Sequence, residues 1–265
     1  MIYALRRLEQ LLRGEATALP NLTNDRFDLP VGGLSIVLIG LGMIYGACMG
    51  LFSLTGSGSG QGMQIVASTV KTPVLFLATI AVTFPSLYVF NAMFGSHLKL
   101  MPMLKLMIGA LAVTLAVLSS IGPIVGFFGV SSTSYPFMVL LNVVVFAIAG
   151  VLGLGFLLQT LHRMDLANRP EPGRPTEPPP LQGEAQDSPT VGSPLSFPDG
   201  RATNGSVWGV FKVWIIVFGL VGAQMAWVLR PFIGSPHKPF TWFRPAGGNF
   251  YESVTAQIGK LLGTW

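Results

Sequence analysis

Apolar residues fill this chain in long blocks rather than at the spacing of a half-buried helix or strand. Val31–Leu54, Thr72–Gly95, Met103–Phe128, Pro136–Leu161 and Val207–Leu229 each read as nearly unbroken hydrophobic stretches. Stretches of about 20 apolar residues are long enough to cross a ~30 Å hydrocarbon core as α-helices. The pattern predicts an all-α fold, a polytopic transmembrane helical bundle of about five spans.

The polar segments divide the chain around these blocks. Residues 1–30 precede the membrane. Within them Ile2, Leu5, Leu8 and Leu12 recur at helical spacing, while Arg6, Arg7, Glu9, Gln10 and Arg13 take the other face. That is a short basic amphipathic helix, which either lies on an anionic membrane surface or packs on the protein's own cytoplasmic side. Residues 31–163 hold four spans. Residues 164–205, rich in Pro, Glu, Gly and Ser, predict a disordered linker. Residues 206–230 hold the fifth span, and 231–265 form an aromatic tail that closes with an amphipathic helix near Asn249–Leu262. Thr55–Gly62 reads as a flexible loop. Its glycines follow no strand and precede no Gly-Lys-Ser/Thr, so they make no nucleotide loop.

Composition agrees with the block pattern. Hydrophobic residues make up 51% of the 265 and charged residues 10%, where a soluble domain has about 25% charged. Between Val31 and His162 the charges are Lys71, Lys99 and Lys105, with no acid. The net charge of +5 does not point to nucleic acid, because the basic residues flank apolar segments and form no patch interleaved with aromatics. They are topology signals and contacts for lipid headgroups. The single cysteine, Cys48, excludes an internal disulfide. Residues 1–30 carry Glu9, Glu15, Asp25 and Asp28 and make a poor signal-peptide n-region. Tyr45-Gly46-Ala47-Cys48 departs from a lipoprotein cleavage site, with Tyr where Leu is expected.

Orientation follows from Lys and Arg. With the N-terminus inside, the cytoplasmic segments hold Arg6, Arg7, Arg13, Arg26, Lys99, Lys105, Arg163, Arg169, Arg174, Arg201 and Lys212. The outer loops hold Lys71, and the tail adds Arg230, Lys238, Arg244 and Lys260. The balance predicts N-terminus in and C-terminus out.

Candidate chemistry is sparse. Gly42, Gly46 and Gly50 fall four apart and form a small-residue ridge for close helix packing; Gly219–Ala223 and Gly222–Ala226 repeat the device, and the fourth span has Gly150, Gly153 and Gly155. Asn91, Ser119, Ser120, Asn142 and Gln224 are the polar groups expected inside the spans, none ionisable, which argues against a pump. Pro85 and Pro123 interrupt the helical ladder and offer kinks. They and the polar groups either line a path or satisfy one another across packed interfaces. His97, His162 and His237 are scattered, with no metal-ligand spacing, and no serine has a basic partner. Catalytic, cofactor and metal residues are therefore expected to be none. The densest stretch is the tail, where Arg230, Phe232, Phe240, Trp242, Phe243, Arg244, Phe250 and Tyr251 are candidate lipid or partner contacts.

Thr72-Pro-Val-Leu-Phe-Leu to Phe84-Pro-Ser-Leu-Tyr-Val-Phe-Asn91, with Leu229-Arg-Pro-Phe-Ile-Gly-Ser-Pro236 and Pro239-Phe-Thr-Trp-Phe-Arg244, resembles a group of uncharacterised bacterial polytopic membrane proteins. The likeness covers most of residues 60–265 outside the linker. In architecture alone, the chain is distantly similar to the Yip1 family. A cytoplasmic N-terminus, five clustered spans and a short far-side C-terminus carry that likeness, without the family's short motifs. The resemblance implies a bacterial inner membrane, and the expectation is a non-enzymatic scaffold or assembly factor there that contacts the lipid bilayer and other membrane proteins. A small transporter or channel through the second and third spans is the alternative, and an accessory subunit of a larger membrane complex a further one.

Overall fold

A computed structural model describes residues 2–14, 31–56, 60–93, 100–167, 204–235, 239–244 and 247–263. Among them are α1 (Ile2–Leu12), α2 (Val31–Gly50, continued by a 3-10 turn Leu51–Thr55), α3 (Gln61–Met93), α4 (Leu100–Ser131), α5 (Tyr135–Ala167), α6 (Asn204–Val228) and α7 (Phe250–Leu262). The described residues contain no strand, and the fold is an all-α bundle.

Gly32–Thr55, Gln61–Ser86, Leu104–Ser131 and Tyr135–Thr160 are long and apolar enough to cross a membrane. α6 is 25 residues long, and Val213–Val228 is its described apolar stretch. The outward faces of these helices are apolar too: Ile36, Val82, Phe127, Val151 and Ile216 are each more than half exposed. Water does not favour so many bare aliphatic side chains in contiguous bands, whereas lipid tails do.

Packing fixes the direction of each helix. Along α2, Gly42 meets Pro73, Gly46 meets Ser68 and Thr72, and Gly50 meets Ile65, so α3 runs antiparallel to α2. At Gly46 even a Cβ would collide with the Ser68 carbonyl, so the predicted glycine ridge is a contact within the chain. On α4, Gly122 faces Cys48, Gly126 faces Leu51 and Gly129 faces Phe52, a parallel arrangement with α2. α5 returns, pairing Phe146 with Tyr45 and Tyr135 with Phe52. α6 then runs against α3, with Trp214 Nε1 donating to Ser86 Oγ at 3.2 Å and Gly222 over Thr79. The five long helices alternate in direction. α1 and the segment after α6 therefore lie at opposite ends of the bundle. α4 is the most enclosed, with 61% of its apolar window buried against 28% for α5.

Several expected boundaries shift. The second helix begins at Gln61 rather than Thr72, so the end of the expected Thr55–Gly62 loop joins the helix and Lys71 lies inside a candidate span, buried. The expectation of no ionisable group in the spans is thus overturned. α5 continues through Ala167 and α6 starts at Asn204, so the expected linker is shorter at both ends; its residues 168–203 lie outside the described part, as do 15–30, His97 and His237. α1 forms as predicted, but it turns Ala4, Leu8 and Leu11 into the core and leaves Leu5 and Leu12 exposed. Of the two settings left open for it, packing on the bundle is the one observed. The small side chain of Ala4 favours this face, because it lets the helix approach closely.

Candidate functional site: a clamped tail and an intramembrane cleft

The first turns of α3 present Gln64, Ser68 and Lys71 along one face, at the spacing that aligns side chains on a helix. Lys71 lies ten residues after Gln61, about 15 Å along the axis at ~1.5 Å per residue. All three are buried. A buried ammonium or amide is costly in an apolar setting unless it finds acceptors. The acceptors come from the chain just past α6. That helix stops at Val228, and Pro231 cannot continue it, which leaves the following carbonyls without helical partners.

Gln64 Nε2 donates to the carbonyls of Pro231 at 3.3 Å and Phe232 at 3.1 Å. The Ser68 hydroxyl also donates to the Phe232 carbonyl. Lys71 Nζ donates to Pro231 O at 3.2 Å and to the Trp242 carbonyl, and sits 4.8 Å from the centre of the Phe243 ring. Ile233 is buried in the core beneath this seam. Pro231, Phe232 and Trp242 of the tail are therefore seated on α3 and cap this end of the bundle.

Two arginines hang from the clamp. Arg230 stacks on Trp227, with its guanidinium carbon 3.6 Å from the ring centre, and Trp227 Nε1 donates to Gly248 O at 3.0 Å. The Arg244 backbone N–H donates to Arg230 O at 3.3 Å, which brings the two residues side by side. Asn249 caps α7 by accepting from the Glu252 N–H at 2.8 Å, and Gly263 ends it in the left-handed conformation at φ 71°.

Between α5 and α6 the bundle does not close. α6 packs on α3 and α7, and a cavity of about 880 Å³ separates it from α5. Small residues border this space: Gly150 on α5 and Gly219 on α6 have nothing within 4 Å of where a Cβ would stand, whereas Gly153 clasps Thr114 of α4 and Gly222 lies over Thr79 of α3. The α6 ridge, expected to pack a helix, does so at Gly222, while Gly219 borders the cleft. The remaining walls are apolar, with Leu75, Phe76, Met107, Phe146, Trp214 and Phe218 prominent. Arg230, Arg244 and Tyr135 line it too, at the tail end. Both arginines act electrostatically on Tyr135.

The predicted site residues scatter relative to this cleft. Asn142 lines it, yet its amide is already satisfied: Oδ1 accepts from Tyr45 OH at 2.8 Å and Nδ2 donates to Met138 O at 2.8 Å. Pro85 and Pro123 sit on exposed faces inside continuous helices, Ser120 returns its hydroxyl to Ala116 O, and none of these, nor Ser119, lines the cleft. α3 and α4 both pack chiefly on α2, so the structure does not bring their prolines together. Asn91 falls on α3 where side chains lie outside the described part, and Gln224 is half-buried away from the cleft. Among the tail aromatics, Trp242, Phe243 and Tyr251 are exposed, Phe240 packs edge-on against Trp242, and Phe232 packs against the core. Phe250, Arg230 and Arg244 turn to the cleft rather than outward. Gln64, Ser68 and Lys71 were missing from the expected set; their seven-residue polar stripe was the available signal.

Replacing Lys71 with Met removes the donor that bridges Pro231 and Trp242, at about 1–3 kcal/mol for the buried carbonyls left behind. Chymotrypsin cleavage after Phe243 in detergent-solubilised protein is expected to accelerate by roughly tenfold, an equilibrium shift of about 1.4 kcal/mol. Equal rates in the parent and Lys71→Met would show that the clamp does not hold the tail.

No protein-family model, no curated protein and no solved structure matches the chain, so the geometry of the clamp and the cleft carries the functional reading.

Proposed function

We propose that this chain is a non-enzymatic integral membrane protein that holds a membrane amphiphile in the cleft between α5 and α6. The observation that carries this reading is the cleft itself. At about 880 Å³ it falls within the ~300–1,000 Å³ of small-molecule sites, and apolar walls with a few polar groups are what such sites share. Among its described lining residues the ionisable ones are Tyr135, Arg230 and Arg244. That set binds and orients; it pairs no general acid with a general base. The exposed Trp242, Phe243 and Tyr251 give the clamped tail a surface for lipid headgroups or a partner membrane protein, which suits a scaffold. A transporter reading draws on the same cleft rather than on α3 and α4, and requires it to open at the α1 end. The likeness to the Yip1 family rests on the expected architecture alone.

The chain is further proposed to cross a bacterial inner membrane five times, with α1 in the cytoplasm and the tail outside. The alternating helix directions and the opposite placement of α1 and the tail support an odd number of crossings. Moving Lys71 from a loop into α3 removes it from the outer-loop charge count, which strengthens the bias of Lys and Arg toward the α1 end. Alkaline phosphatase fused after Trp265 is expected to be active; a silent fusion, with an active fusion at the N-terminus, would reverse the orientation.

Gly150 and Gly219 both have open space where a Cβ would stand. Leucine at both positions fills the cleft while raising helix propensity, by about 1 kcal/mol per site. The double variant Gly150→Leu/Gly219→Leu is expected to fold with an unchanged or higher Tm and to lose most of the lipid that co-purifies with the parent in mild detergent. Lipid retained at the parent's stoichiometry would remove the support for a cleft-bound amphiphile.

A further inference from the structure

We infer that the amphiphile is an acidic glycerophospholipid, its phosphate seated between Arg230 and Arg244 and its acyl chain lying along the glycine faces of α5 and α6. This rests on the cleft reading above and adds the identity of the headgroup. Both arginines line the cleft, and both are rooted on the same clamp. The Trp227 ring supports the Arg230 guanidinium, and the Arg230 carbonyl accepts from the backbone of Arg244. A planar guanidinium offers paired N–H donors that match the oxygens of a phosphate, so two held side by side form a charged seat.

Charge balance points the same way. Lys71, Arg230 and Arg244 gather at one end of the bundle, and Arg244 acts electrostatically on Lys71. Among the described residues no carboxylate lines the cleft, and none forms an ion pair with Lys71 or Arg244. Lys71 donates to two backbone carbonyls, which takes up two of its three N–H donors and leaves its charge. An anion between the arginines offsets the mutual repulsion of this cluster.

Depth supports a lipid over a soluble anion. Arg230 follows the last turn of α6, Arg244 is bonded to it through the backbone, and both act electrostatically on Tyr135, the first residue of α5, where the spans end and headgroups reside. From that level the cleft runs inward past Phe146, Leu154 and Phe218, all apolar. A lipid standing in the tail-side leaflet would keep its phosphate at headgroup depth and its chain in hydrocarbon. An inorganic phosphate would leave that apolar length unfilled.

The test uses the full chain in detergent, delipidated, with binding followed by native mass spectrometry. The probes are dioctanoyl phosphatidylglycerol, dioctanoyl phosphatidylcholine and inorganic phosphate. Phosphatidylglycerol is expected to bind about tenfold or more tightly than phosphatidylcholine, because both present the same phosphate diester but the choline cation is repelled by the cluster of Lys71, Arg230 and Arg244, and phosphate alone is expected not to bind. Arg244→Gln should bring the two lipids to within about twofold of one another, Arg244→Lys should retain part of the preference, and Lys260→Gln, on α7 away from the cleft, should keep it whole. Equal binding of the two lipids by the parent, with both lost in Gly150→Leu/Gly219→Leu, would overturn the headgroup inference and leave the cleft reading standing. Phosphatidylglycerol bound undiminished by that double variant would overturn both. Inorganic phosphate bound as tightly as phosphatidylglycerol would make the arginines an anion site with no lipid role.

Discussion

A lysine buried in a membrane-spanning helix needs acceptors, and in this protein the acceptors come from the far end of the chain. Lys71 Nζ binds the carbonyls of Pro231 and Trp242, while Gln64 and Ser68 bind those of Pro231 and Phe232. Without them, the first turns of α3 would bring three polar side chains unpaired into an apolar bundle interior. Without α3, the carbonyls beyond α6 would lack partners in the same way. Each side satisfies the other, so the end of α6 and the tail are tied to α3.

The cleft follows from that tie. Because α6 is held on α3, by Trp214 at one end and the clamp at the other, it is not free to slide across and close on α5. The facing surfaces carry glycine and alanine, which cannot fill the gap. The clamp also sets the two arginines, one stacked on Trp227 and the other bonded to its neighbour's backbone. A single polar seam therefore accounts for the capped end, the open interior and the charged mouth.

Much of this architecture was legible in the sequence, for reasons that mark where legibility stops. The long helices show because a bilayer demands apolar blocks of fixed length, and charges mark where the blocks end. The same rule misplaced the start of α3, since a lysine reads as a boundary when its partners are unseen. Those partners lie 160 and 171 residues away in the chain, and no local pattern announces them. α1 was recognisable as amphipathic, but its stripe of Leu5 and Leu12 lay beside the stripe of Ala4 and Leu11 that the core accepts. The glycine ridges show the limit most clearly. Gly42, Gly46 and Gly50 clasp α3, whereas Gly150 and Gly219 border a void; small residues permit close approach, and only the partner helix decides whether it happens.

The account stands or falls on the tail being seated on α3. In a Cys48→Ser background, cysteines at Ser68 and Phe232 occupy positions joined by a hydrogen bond, while Ser68 and Val213 lie toward opposite ends of the bundle. Oxidative cross-linking in native membranes, followed by gel mobility, compares the two pairs. The account predicts rapid, near-complete bridging of the Ser68/Phe232 pair and none of the Ser68/Val213 pair. A Ser68/Phe232 pair that bridges no faster than the distant control would contradict it.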